Sequence, residues 1–84
     1  MEFKVLIKLF VPEIEQSFDL YIPVNKSVGQ VLILLNKAVH SDSLSVYPIR
    51  TSLRLINKKT AQVYEQTYLI RQTDIKNGTE LVIV

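Results

Sequence analysis

The stretch FDLYIPVNKSVGQVLILLNKAV, residues 18–39, decides the fold because the spacing of its apolar residues changes once, midway. Phe18, Leu20 and Ile22 recur every second residue, with Asp19 and Tyr21 on the opposite side, which is the alternation of a strand with one buried face. From Val28 the period lengthens to about 3.6, and Val28, Val31, Leu32, Leu35, Ala38 and Val39 fall on one stripe of a helix. Ser27 and Gln30 have the spacing of a capping box, in which a hydroxyl serves the backbone N–H three residues on and the amide reaches back. A strand over Gln16–Val24 therefore runs into a helix over Val28–His40.

Upstream, Phe3, Val5, Ile7 and Leu9 alternate with Glu2, Lys4, Leu6, Lys8 and Phe10, predicting a first strand over Glu2–Phe10. Pro12 and the polar residues Glu13 to Gln16 end it, and so short a connection makes the two strands an antiparallel hairpin. Downstream, SDS at 41–43 with Pro48 beyond it closes the helix. Leu53 and Leu55 alternate with Arg54 and Ile56 in a strand over Thr51–Asn57, ended by the turn Asn57-Lys58-Lys59. Val63 and Tyr64 suggest a very short fourth strand, and TYLIRQTDIKNG at 67–78 reads as a loop with at most one helical turn. Asn77-Gly78 then turns into a last strand, with Leu81 and Ile83 on one face and Glu80, Val82 and Val84 on the other.

One helix can cover one face of a sheet, so the expected class is α+β in two layers: a four- or five-stranded sheet packed on a single helix. At 84 residues the chain is expected to be one domain, residues 1–84, near the lower end of sizes that fold unaided. A hydrophobic share of 48% argues against disorder, and the lack of cysteine removes disulfides and thiolate metal sites, which favours an intracellular setting. MEFKVLIKLFVPEIEQ at 1–16 has its apolar residues interrupted by charges at Glu2, Lys4, Lys8, Glu13 and Glu15, unlike a signal peptide, and Val31 to Leu35 is far too short to span a bilayer.

Catalytic chemistry finds little material. The single histidine, His40, lies at the helix end, where a polar or cationic side chain suits the exposed carbonyls; a pH-sensing or ligand role is the sharper alternative. Glu13 and Glu15 are the closest carboxylates, but a solvated connection does not split their pKa values as paired acids require. Two glycines, Gly29 and Gly78, cannot build a phosphate-cradling loop. No cofactor and no metal is expected.

Surface residues are more informative. Leu6, Ile56, Val82 and Val84 share the outward parity of their strands, and if those strands are neighbours they form an apolar patch flanked by Lys4, Lys8 and Arg54. A contiguous apolar group rimmed by charge suggests a protein contact. Phe10 and Tyr21 with the same cations would make an RNA platform, but Asp19 and Glu2 intrude, and the net charge of +2 comes from dispersed cations. Nucleic acid is the weaker reading. Ile33 and Leu34 fall off the main helical stripe and are expected to lie under the loop carrying Val46 and Tyr47.

The element order, the helix introduced by PVNKS at 23–27 and the closing NGTELVIV at 77–84 resemble ubiquitin and its β-grasp relatives. FDLYIPVNKSVGQVLILLNKAV is similar to their second strand and helix, LRLINKK at 53–59 to their third strand and turn, and LIRQTDIKNGTELVIV at 69–84 to their closing loop and strand. Within that superfamily, FDLYIPVNKSVGQVLILL and DIKNGTELVIV look most like the small bacterial YukD and EsaB proteins that accompany type VII secretion systems, whose NGD or DGD turn is Asn77-Gly78-Thr79 here. The resemblance implies a cytoplasmic, non-enzymatic accessory or regulatory component that contacts secretion-machinery proteins. It also implies, by analogy with ubiquitin's contact patch, roles for Ile56, Val82 and Val84. Conjugating and sulfur-carrying relatives end in Gly-Gly, whereas this chain has Ile83-Val84, so conjugation through that end is not expected.

Overall fold

A computed structural model describes residues 3–84. Among them the elements are β1 (Lys4–Val11), β2 (Gln16–Pro23), α1 (Val28–Asp42), β3 (Leu55–Asn57) and β4 (Glu80–Ile83), with 3-10 turns at Pro12–Ile14 and Ile70–Gln72. The strands form one mixed sheet in the order β2-β1-β4-β3. β1 pairs antiparallel with β2 through eight residue pairs, from Lys4 opposite Pro23 to Val11 opposite Gln16. β4 lies parallel to β1, with Leu9 opposite Leu81, and antiparallel to β3, with Ile56 opposite Val82. The expected class is thus observed: α+β, one helix against a four-stranded mixed sheet.

The two periods in residues 18–39 become two packed surfaces. Ile7, Leu9 and Val11 from β1, with Leu55, Leu81 and Ile83, are at most 1% exposed and meet Val28, Val31, Leu35 and Val39 of α1. Burying a side chain of this size is worth roughly 1.5–3 kcal/mol. Phe18 and Leu20 face the same way but are only half-buried, because β2 is an edge strand. The capping box forms as expected: Gln30 N–H donates to Ser27 Oγ at 3.1 Å, and Ser27 N–H to Gln30 Oε1 at 3.0 Å. The first two helical N–H groups are taken by the 66–68 segment, Val28 donating to Tyr68 O at 2.8 Å and Gly29 to Gln66 O at 3.0 Å. The helix N-terminus therefore has no vacant donors to offer an anion.

Several expectations need correction. The helix continues to Asp42, two residues past His40. The first strand includes Val11, and the expected start at Glu2 lies outside the described residues. Phe3, which shares the parity of the buried Val5, Ile7 and Leu9, is nevertheless 59% exposed, because it sits beyond the last side-chain pair of the β1–β2 ladder. The third strand shortens to Leu55–Asn57, although Arg54 still exchanges backbone hydrogen bonds with Val84. Val63-Tyr64 is no strand: Val63 makes a single bridge to Ile56. Ile33 and Leu34 are not tucked away; they are 58% and 49% exposed, since the neighbouring loop buries Tyr47 instead. Among the described residues no helix is long and apolar enough to cross a membrane.

Candidate functional site

The outer face of the sheet is built by parity and by register. Parity turns Lys4, Leu6, Lys8 and Phe10 of β1 away from the helix. Register then aligns Phe10 with Val82, Val82 with Ile56 and Ile56 with Val63, a transverse row that crosses β1, β4 and β3. Phe10, Val82 and Ile56 are half-buried by one another, and Val63 is 55% exposed. Strands about 4.8 Å apart place successive members of such a row in side-chain contact range. Val84 and Arg54 lie beside it, held opposite each other by Arg54 N–H to Val84 O at 2.8 Å and Val84 N–H to Arg54 O at 3.2 Å.

On the other side of the apolar row stands a charged one. Lys8 is opposite both Asp19 and Glu80, and Lys58 N–H donates to Glu80 O at 3.0 Å. Lys58 Nζ sits 5.1 Å from the centroid of the Phe10 ring, reaching across β4 in a cation–π contact that ties the two rows together. Lys59 Nζ lies 3.8 Å from Glu80 Oε2, an exposed pair of small energetic value.

The structure therefore brings together Ile56, Val82 and Val84, with Arg54 and Lys8 on their flanks, and it separates Leu6 from them. Leu6 stands opposite Tyr21, beyond the Asp19–Lys8–Glu80 row. The reason is register: β4 begins opposite Lys8, so Leu6 overhangs onto the Asn77-Gly78 turn. Lys4 is further out, opposite Pro23. Phe10, Lys58 and Val63 join the face without having been singled out for it. Their outward parity was visible, but their alignment depends on strand order. Phe10 and Tyr21, the aromatic pair of the RNA reading, are kept apart by the same charged row.

Away from this face, Glu13 pairs with the Arg50 guanidinium, which holds that group still more firmly protonated, and Arg50 also lies 5.1 Å over the Tyr47 ring. His40 Nδ1 is 2.8 Å from the Tyr47 carbonyl oxygen, so the Nδ1–H tautomer donates there and closes the helix C-terminal loop. Two buried asparagines do similar work: Asn36 bonds Pro48 O and Arg50 N, and Asn57 bonds the Tyr64 hydroxyl and two turn amides. Burial raises the Tyr64 and Tyr47 hydroxyl pKa values above 10.0, partly offset by Asn57 and Arg50 respectively. Among the described residues no group of three or more His, Asp or Glu is placed to hold a metal ion.

No protein-family model and no curated protein matches the chain. Solved structures do. A ubiquitin from Caldiarchaeum subterraneum superposes with a TM-score of 0.65 at 18% identity, over 95% of this chain and 90% of that one. A solution structure of an N-terminal ubiquitin-like domain gives 0.68 at 14% identity, over 100% and 76%.

The fold is ubiquitin-like.

The same β-grasp arrangement appears in a chain of the MycP5-free ESX-5 inner membrane complex, with a TM-score of 0.80 at 19% identity over 99% of this chain. This ubiquitin-like chain spans 21% of the length of that one. The sheet face described above is, in this fold, the side turned away from the helix.

Proposed function

We propose that this ubiquitin-like chain is a non-enzymatic protein-interaction module that docks through the outer face of its sheet. In this reading it serves as a cytoplasmic accessory or regulatory component of a type VII secretion system. The docking part is carried by the Phe10–Val82–Ile56–Val63 row, an apolar line across three strands with charge on both sides. Covering such a row releases water from apolar area while the rim sets specificity. Lys8, Arg54, Lys58 and Lys59 outnumber Asp19 and Glu80 around it, which favours a partner with an apolar stripe flanked by carboxylates. The secretion part is supported by the likeness to the ESX-5 chain and by the YukD and EsaB resemblance.

Pull-downs of secretion-machinery proteins with the parent chain, Ile56→Asp and Val84→Asp test this reading, with circular dichroism as the folding control. Folded variants should lose their partners; unchanged recovery counts against the face. A salt titration with single-stranded RNA covers the rival reading, and tight binding that weakens steeply with salt would replace a protein partner by nucleic acid.

A further inference from the structure

The turn before β4 places Asn77 directly before Gly78. A backbone nitrogen can approach the preceding side-chain amide most freely when its own residue has no Cβ. The chemistry open to this pair is ring closure. Gly78 N attacks Asn77 Cγ, the C–N bond to the side-chain amide breaks, and that nitrogen leaves as ammonia carrying the proton released by Gly78. Water then opens the cyclic imide at either carbonyl, giving aspartate or isoaspartate. No oxidant or metal takes part.

In the folded chain both reacting groups are held by one residue, 71 positions away from Asn77. Leu6 N–H donates to Asn77 Oδ1 at 2.7 Å, and Gly78 N–H donates to Leu6 O at 2.8 Å. The asparagine side chain thereby substitutes for a strand residue and extends the β1–β4 ladder past its first pair, Lys8 opposite Glu80. The turn is closed again by Thr79 N–H to Lys76 O at 3.0 Å and Lys76 N–H to Thr79 Oγ1 at 2.9 Å, and Lys8 N–H reaches Thr79 O at 3.0 Å. The attacking nitrogen is engaged as a donor, and the carbonyl it must attack is fastened to β1.

We propose that Asn77 is a modification site gated by the β1–β4 junction: cyclisation runs only from an opened state in which Leu6 has released both groups, and isoaspartate formation prevents proper reclosure. The two products differ in consequence. Aspartate keeps an acceptor oxygen for Leu6 N–H and an unchanged main chain. Isoaspartate routes the main chain through the side-chain carbon, which inserts a methylene into the backbone between Asn77 Cα and Gly78 N, joins the former side-chain carbonyl directly to Gly78 N, and displaces Gly78 and Thr79 from Leu6 and Lys8. β4 lies between β1 and β3, so the lesion falls at the entry to the strand that joins the two halves of the sheet.

The test is to age the full chain at mildly alkaline pH, folded and in denaturant, and to follow amide loss at Asn77 by peptide mapping that resolves isoaspartate. The folded chain should react at least about tenfold more slowly, because local opening is a minor population. Leu81→Ala, which loosens β4 without touching the reacting pair, should speed the reaction in buffer and leave the denatured rate unchanged. Sub-denaturing urea on the parent supplies the same loosening if that variant does not fold. Equal folded and denatured rates, or no acceleration on loosening, overturn the gate. The isoaspartate form, separated by ion exchange, should melt below Asn77→Asp; equal melting overturns the reclosure part.

Discussion

The Asn57 carboxamide donates to the Tyr64 hydroxyl oxygen at 3.0 Å, and that hydroxyl donates in turn to Asp74 Oδ1 at 2.7 Å. This chain of two bonds ties the end of β3 to the long connection before β4, a region with little regular structure to hold it. Asn57 Oδ1 meanwhile accepts from Lys59 and Thr60 N–H at 2.9 and 3.1 Å, which fixes the turn.

Asn57→Ala removes all three bonds and leaves a buried hydroxyl short of a donor, so it should cost roughly 2–3 kcal/mol. Tyr64→Phe breaks two bonds but keeps the ring in the core, and about 1 kcal/mol is expected. Urea unfolding of both variants checks the order; a Tyr64→Phe loss exceeding that of Asn57→Ala would contradict it.

Tyr47 and Tyr64 also set an alkaline limit. Burial, the largest cause, raises both hydroxyls above their ordinary value of 10.0. Below that pH they are protonated in the folded and unfolded chains alike, and they add no pH dependence. Above it the unfolded chain releases protons that the folded chain retains, so stability should fall as pH rises beyond about 10. The urea midpoint should drop there, and Tyr64→Phe should drop less steeply; parallel curves would show that Tyr64 contributes nothing to the slope.

The two glycines should respond in opposite directions to alanine. Gly78 has φ of +88°, and a Cβ there would meet nothing within 4 Å, so Gly78→Ala should lose about 1–2 kcal/mol through backbone conformation alone. Gly29 lies in the first turn of α1, where an added Cβ would stand 3.4 Å from Gln66 O, ordinary contact. Gly29→Ala should therefore gain a few tenths to about 1 kcal/mol from helix propensity. Thermal melts of the two variants against the parent decide it.

Asn36 is 2% exposed and fastens the helix to the loop after it, donating to Pro48 O at 3.0 Å and accepting from Arg50 N–H at 2.7 Å. Asn36→Ala should cost roughly 1–3 kcal/mol. Hydrogen exchange at Arg50 should accelerate more than at β1 amides, a local signature that a general loss of stability would not produce.

The α+β class, the hairpin and the helix with its capping box were legible because each rests on local spacing: Phe18-Leu20-Ile22 against Val28-Val31-Leu32-Leu35, with Ser27 and Gln30 between. Parity likewise marked Ile56, Val82 and Val84 as outward. Leu6 was misplaced into their patch because parity says which side of a strand a residue faces and nothing about how far the neighbouring strand is shifted. Ile33 and Leu34 were misread for a related reason, since what covers a helix face depends on the loop path, and that loop spends its apolar contact on Tyr47. The buried roles of Asn36 and Asn57 have no sequence signal, because their partners are backbone groups and a phenol brought to them by the tertiary fold.

The sequence by itself therefore determined the helix and the four strands that form, their order and the inward face of most of their residues, since a period of two or about 3.6 is a property of neighbouring residues. The tertiary structure alone decided the strand order β2-β1-β4-β3 and its register. With them came the Phe10–Val82–Ile56–Val63 row, the exclusion of Leu6, and the use of Asn77 as a rung on β1. Each of these depends on hydrogen bonds between residues far apart in the chain, and such bonds are selected by closing one shared core rather than by any local pattern.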